Sequence, residues 1–201
     1  MTISRTDTVI VVGFLILVQG TGALAGFWLP AIAPEVGQSL GLSPSLIAYP
    51  VLILYIFAMI SSLMAGGIVR RFGAWRSSQA ALILIGASHL MFMNGSLLFL
   101  ALGSIILGGA YGLLTPPASH LLSKIVTTKN RNLIFSIRFT GVPLGGILAG
   151  LLAPPVALEY GWRESMIVTI VISLVIAISM QPFRKRWDRD RLKSAKIFRN
   201  P

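Results

Sequence analysis

The chain contains no cysteine and only six acidic residues among 201, and charged side chains of every kind make up 11% of it. Without cysteine there is neither a disulfide framework nor a thiolate metal site. The shortage of charge excludes an ordinary soluble surface, because a globular domain carries roughly a quarter charged residues. Disorder is excluded by the 55% share of hydrophobic residues. The two histidines, His89 and His120, are too few and too far apart for a zinc centre. No P-loop is present, and no Gly-x-Gly-x-x-Gly follows a strand pattern, so the common nucleotide cradles are missing. The composition therefore predicts neither cofactor nor metal.

What the chain does have is long apolar runs. About 20 mostly apolar residues are needed for a helix to cross ~30 Å of hydrocarbon. Six stretches approach that length: Thr8 to Trp28, Ile47 to Val69, Ser77 to Met93, Leu97 to Leu122, Leu133 to Ala153 and Ser165 to Gln181. They are continuous rather than alternating, which predicts helices and not the strands of a barrel. Ala23-Leu24-Ala25 before Gly26 resembles a signal-peptide cleavage site, but the apolar run from Val9 continues through Trp28, and Arg5 and Asp7 cancel ahead of it. The first stretch is read as an uncleaved span. The fold class predicted is an all-α membrane protein with six transmembrane helices over residues 1–183, followed by a basic tail at 184–201.

Lys and Arg outnumber Asp and Glu by 17 to 6, a net charge of +11. Assigned to alternate connections, the basic residues fall on one side: Arg5, Arg70, Arg71, Arg76, Lys124, Lys129, Arg131, Arg138 and the tail from Arg184 to Arg199. Arg163 alone falls on the other. The positive-inside rule then predicts both termini in the cytoplasm of a multi-pass inner-membrane protein. The charge is a topology signal, no nucleic-acid partner is expected, and the tail can also rest on anionic headgroups. Its end at Pro201 reads as the start of a linker.

Small residues set the packing, because helices in lipid associate by close approach. Gly22-Ala23-Leu24-Ala25-Gly26 and Gly146-Ile147-Leu148-Ala149-Gly150 share a pattern, and Gly108, Gly109 and Gly112 form another seam. Gly141-Val142-Pro143-Leu144-Gly145-Gly146 joins glycine to a helix-breaking proline, a kinkable contact.

These features together resemble the amino-terminal six-helix half of the major facilitator superfamily of transporters. Gly66-Gly67-Ile68-Val69-Arg70-Arg71-Phe72-Gly73-Ala74-Trp75-Arg76 is similar to the family's loop signature G-x-x-x-D-R-x-G-R-R/K. Gly66, Arg71 and Gly73 match it, whereas Arg70 stands where the family has aspartate. The segment from Thr140 to Gly146 is similar to the family's Gly-Pro motif of helix five, and Arg138 to Pro155 is most similar to the cyanate/nitrate-type permeases. Gly161-Trp162-Arg163 recurs in the superfamily, while Ser104 replaces a helix-four arginine.

The resemblance implies a 3+3 inverted repeat, a second six-helix half as partner in the lipid bilayer, and alternating access to a small, possibly anionic, solute. It further implies a hinge loop at Gly66, Arg71 and Gly73, and a contact between halves at Gly141, Pro143, Gly145 and Gly146. Helices one and four line the pathway in such a fold.

Polar residues inside the spans are the candidates for that pathway. Gln19 lies about 17 Å along the first span, where it bonds either solute or another helix. Tyr111 is at similar depth in the fourth, and Thr115, one turn on, bonds either solute or its own backbone. Arg138 lies about 9 Å inside the fifth, close enough to reach headgroups, or it faces a cavity and pairs with anions. His120 is placed near the inner gate and His89 in a peripheral helix. With no Asp or Glu in any span, a carboxylate proton carrier is absent from the sequence read. A serine protease finds no Gly-x-Ser-x-Gly, so no enzyme is expected, and a non-transporting scaffold is the remaining alternative.

Overall fold

The computed structural model describes residues 4–192 and 194–195; residues 193 and 196–201 of the predicted tail lie outside them. Helix α1, Arg5–Ala31, opens on a capping box in which Ser4 and Asp7 each bond the other's backbone N–H. It passes Pro30 and gives way to a short helix α2, Ala33–Leu40, closed by Gly41 at φ 64°. The connection between the first two predicted stretches is therefore partly helical, with a 3-10 turn at Pro44–Ile47 leading into α3, Ala48–Phe72.

Glycines at positive φ then turn the chain. Gly73, at φ 97°, separates α3 from α4, Ala74–Phe92. Gly95, at φ 67°, precedes α5, Leu97–Gly112, which Ser96 caps. Gly161, at φ 97°, precedes α9, Trp162–Ser179. Cβ clashes exclude most residues from this region of backbone space, and glycine has none.

Prolines divide two of the long rods. Pro116 and Pro117 cannot donate to Gly112 and Leu113, so α5 stops and α6, Thr115–Ile125, restarts two residues later. Pro143 cannot donate to Phe139, and a break at Thr140 separates α7, Arg131–Phe139, from α8, Gly141–Tyr160. By contrast, α8 continues through Pro154 and Pro155, beyond the predicted end of the fifth stretch at Ala153, and Gly161 alone separates it from the next helix. A 3-10 turn at Gln181–Phe183 and a single turn α10, Arg184–Trp187, complete the described chain.

Among the described residues five helical stretches have the length and apolarity to cross a membrane: 5–31, 45–72, 97–125, 131–160 and 162–187. The sixth rod is α4, 19 residues made less apolar by Arg76, Gln79 and His89. The architecture is an all-α bundle of six rods, as expected. Rod one packs on rod five, rod four on rod two, and rod three on rod six, with rod three also against rod four more extensively than rod six is against rod one. Exchanging the first three rods with the last three maps the first three of these pairings onto themselves. Three is odd, so the two triplets run in opposite directions, which is an inverted 3+3 repeat.

Backbone contact at glycine holds the two main seams. A methyl group on Gly108 or Gly112 would strike the α3 backbone at Leu54 and Ala58. On Gly141 it would meet the Ile16 carbonyl at 2.6 Å, and on Gly145 the Gly20 carbonyl. Gly141 and Gly145 thus face α1 within the bundle. Pro143 and Leu144 of the same helix are exposed. Gly146 packs near the Phe27 ring, at 3.5 Å from an added methyl.

Candidate functional site

Arg138 is completely buried, although it sits where a side chain of its length could reach headgroups. The break at Thr140 places it at the last turn of α7, aimed into the bundle instead of along the fifth rod. Its Nη2 donates to Gln19 Oε1 on α1 at 2.5 Å and to Thr115 Oγ1, the first residue of α6, at 3.4 Å. The guanidinium carbon stands 4.6 Å from the centre of the Phe139 ring. Nε and Nη1 have no hydrogen-bond partner among the described residues. Among the described residues no carboxylate pairs with it.

Three rods are therefore joined at one cation through an amide and a hydroxyl. Gln19, 4% exposed, makes the interhelical bond that was one of its two expected roles. Thr115 bonds the arginine and not its own helix, a role its sequence setting beside two prolines did not signal. The arrangement ties the three rods together and leaves two guanidinium nitrogens without a partner among the described residues, a planar donor edge of the kind that pairs with carboxylates and phosphates.

On the same three rods, toward the basic end, a cleft of about 580 Å³ is lined by residues that include Arg5, Thr8, Lys124, Thr127 and Asn130. Tyr111 lies one turn before Thr115, with its ring against Gly26 and edge-on to Tyr55 at 6.1 Å. Gly26 is seven residues beyond Gln19, about 10 Å along α1. Tyr111 thus stands on the pathway rods but deeper than the arginine. His89 is fully buried, its Nδ1 near Ser88 Oγ and the Ile85 carbonyl, and takes no part.

His120 sits at the rim of the basic end, with Nε2 2.9 Å from Asp190 Oδ2. Lys124 Nζ approaches the same oxygen at 2.6 Å. Burial raises the Asp190 carboxyl, but hydrogen bonds from Lys124 and His120 and the Lys124 charge outweigh it and leave it below the ordinary value. Asp190 belongs to a strap formed by the tail. Arg186 binds Asp7 at 2.6 Å, the Leu192 N–H donates to the Arg70 carbonyl at 2.9 Å, and Trp187 stacks on Trp75 at 6.2 Å.

The centre of the strap is Asp188, 3% exposed, which accepts from the Trp75 and Arg76 backbone N–H groups at 2.8 and 3.1 Å. It caps the start of α4 within the loop signature. Arg70, standing in the aspartate position, points outward, and the loop's acid comes instead from the tail. Asp188 and Asp190 were legible only as the two acids in a basic tail. Of the other signature residues, Gly73 is buried under Asp188, Arg71 is exposed over the Phe72 ring, and Gly66 is exposed with open space around it.

Comparison with known proteins follows the same lines. The profile of the Major Facilitator Superfamily matches residues 12–200. A gallate transporter of Pseudomonas putida is 28% identical over 160 residues, covering 77% of this chain and 34% of that protein. A hexuronate transporter of Bacillus subtilis (strain 168) is 25% identical over 135 residues, covering 65% and 31%. The chain spans about a third of the length of these curated relatives. A crystal structure of a mutant of the peptide transporter POT in complex with sulfate has a TM-score of 0.71 at 20% identity, covering 90% of this chain and 38% of that one. A second crystal structure of the mutant peptide transporter POT gives 0.70 at 22%, covering 94% and 39%. The fold is shared with both.

Proposed function

The chain belongs to the Major Facilitator Superfamily, and we propose that it forms one six-helix half of a secondary transporter that moves a small anionic solute by alternating access. The observation that carries this reading is the buried Arg138 guanidinium, two of whose nitrogens have no partner and which has no carboxylate beside it among the described residues. A buried guanidinium within a membrane span is costly unless it is paired. An amide and a hydroxyl reduce that cost without neutralising the charge, and an anionic solute supplies the missing counter-charge. Gallate and hexuronate, the solutes named for the relatives, are both carboxylates.

In this reading Arg138 pairs with the solute while Gln19 and Thr115 orient it. The solute enters through the cleft lined by Arg5 and Lys124, passes His120 at the rim, and leaves past Tyr111. A second six-helix half closes the other wall of the pathway across the exposed Pro143 side of α8. The basic end faces the cytoplasm by the positive-inside rule, and the bacterial sources of the relatives favour a bacterial inner membrane. The likeness of Arg138 to Pro155 to cyanate/nitrate permeases makes a small inorganic anion the nearest rival solute.

Isothermal titration of the purified chain with gallate, glucuronate and nitrate, beside Arg138→Gln, tests the proposal. Saturable binding of a carboxylate that Arg138→Gln abolishes is expected. Binding of equal strength in the variant would remove Arg138 from the site, and preference for nitrate would move the chain to the inorganic-anion branch.

A further inference from the structure

We infer that the groove between α4 and α9 at the basic end binds one anionic phospholipid, its phosphate held by Arg76 and Arg184 and an acyl chain laid along the groove below them. The groove has a volume of about 600 Å³ and lies outside the arginine site. Its α4 wall is Arg76, Gln79, Ala80 and Ile83, one helical stripe. Leu174, Ile178 and Gln181 form the matching stripe of α9, and Arg184 follows at the start of α10. From Arg76 to Ile83 the stripe covers about 10 Å along the helix, in the direction in which a lipid extends from headgroup to chain.

The polar groups and the apolar ones are separated along that direction. At the basic end, Gln79 Nε2 donates to the Ala177 carbonyl at 2.8 Å and to Gln181 Oε1 at 2.9 Å, tying the helices together beneath the two arginines. Arg76 Nε and Nη1 and Arg184 Nε have no hydrogen-bond partner among the described residues. Asp188 approaches Arg76 Nε at 3.8 Å, an ion pair without a hydrogen bond. Two guanidiniums thus have donors to offer to phosphate oxygens. Further along, the walls are aliphatic, and Ile83 and Ile178 at the mouth are 54% and 71% exposed. The groove closes near Gly86, where α4 meets Ser173 so closely that an added methyl would sit 3.1 Å from its Oγ.

A free phosphate gains only the two guanidiniums, at a level where salt screens them, whereas a phospholipid also covers the aliphatic walls. Basic pockets between membrane helices on the cytoplasmic side take anionic headgroups for this reason. The tail as a whole is basic as well, but diffuse attraction would not depend on which arginine is removed.

The test is native mass spectrometry of the full chain released from neutral detergent, titrated with phosphatidylglycerol or phosphatidylcholine. One phosphatidylglycerol per chain is expected to be retained over phosphatidylcholine, by about fivefold for each arginine engaged. Arg184→Gln lowers that preference about fivefold, and Arg131→Gln, at the same end on α7, leaves it unchanged. Ala80→Trp, which fills the groove, and Ile178→Gln, which makes its mouth polar, both reduce retention; unchanged circular dichroism confirms the fold of each. Equal retention of the two lipids would overturn the site. So would an equal loss in Arg131→Gln, displacement by inorganic phosphate, or a chain dimer that Ala80→Trp dissociates.

Discussion

Asp188 occupies the space that a β-carbon on Gly73 would fill, so the tail carboxylate and the absent side chain fit only as a pair. Gly73 lies at φ 97°, and Asp188 reaches past it to cap α4. Gly73→Ala therefore meets two penalties, backbone strain and displacement of the cap. A loss of roughly 1–3 kcal/mol is expected in thermal unfolding of the detergent-solubilised chain. Gly66→Ala, in open space on α3, is expected to be neutral or slightly stabilising, and equal losses in both would refute the pairing.

The same carboxylate gives the chain a pH dependence. Burial raises Asp188 to about 6, against the opposing pull of the Trp75 N–H and the Lys124 charge, with Asp190 adding to the rise and Arg184 opposing it. An acid with a folded value above its unfolded one, near 3.8, binds protons more tightly when folded. Stability then falls as pH rises from about 4 to about 6 and levels off above. Asp190, held below its ordinary value, stays ionised through this window. The melting midpoint is expected to be higher at pH 4.5 than at pH 7.5, with the difference reduced in Asp188→Asn; an undiminished difference would assign the effect to other groups.

Arg138 is expected to trade stability against binding. Arg138→Met replaces a buried, uncompensated charge with an apolar chain of similar length, so the melting midpoint rises by about 2 °C or more while anion binding disappears. Gln19→Leu works in the other direction, because it strips the guanidinium of its 2.5 Å acceptor and leaves a further donor unsatisfied, at a cost of about 1–3 kcal/mol. A midpoint that falls in Arg138→Met would show that the arginine stabilises the bundle.

The α1 seam distinguishes glycines that look alike in sequence. Gly145→Ala drives a methyl into the Gly20 carbonyl and is expected to separate α1 from α8, with a loss of more than about 2 kcal/mol. Gly150→Ala has open space and is expected to gain about 0.5–1 kcal/mol from the reduced freedom of the unfolded chain. Thermal melts of the two variants side by side decide the matter.

The sequence alone determined the class, the number of rods and the charge asymmetry, because length and apolarity are properties of continuous segments and lipid permits few alternatives for them. It also marked Gln19, Tyr111 and Arg138 as polar groups at depth, since each stands out against an apolar run. It left open whether Arg138 reached headgroups or the interior, and whether Gln19 bonded solute or a helix. Those depend on the direction in which a side chain leaves its helix, and the break at Thr140 decides it for Arg138. Which side of α8 packs on α1 was likewise open, and the fold turns Gly141 and Gly145 to it. It gave no hint that Asp188 caps α4 across more than a hundred residues. Pairings of that kind come only from tertiary structure, because a hydrogen bond or an ion pair is set by distance in space and carries no periodicity along the chain.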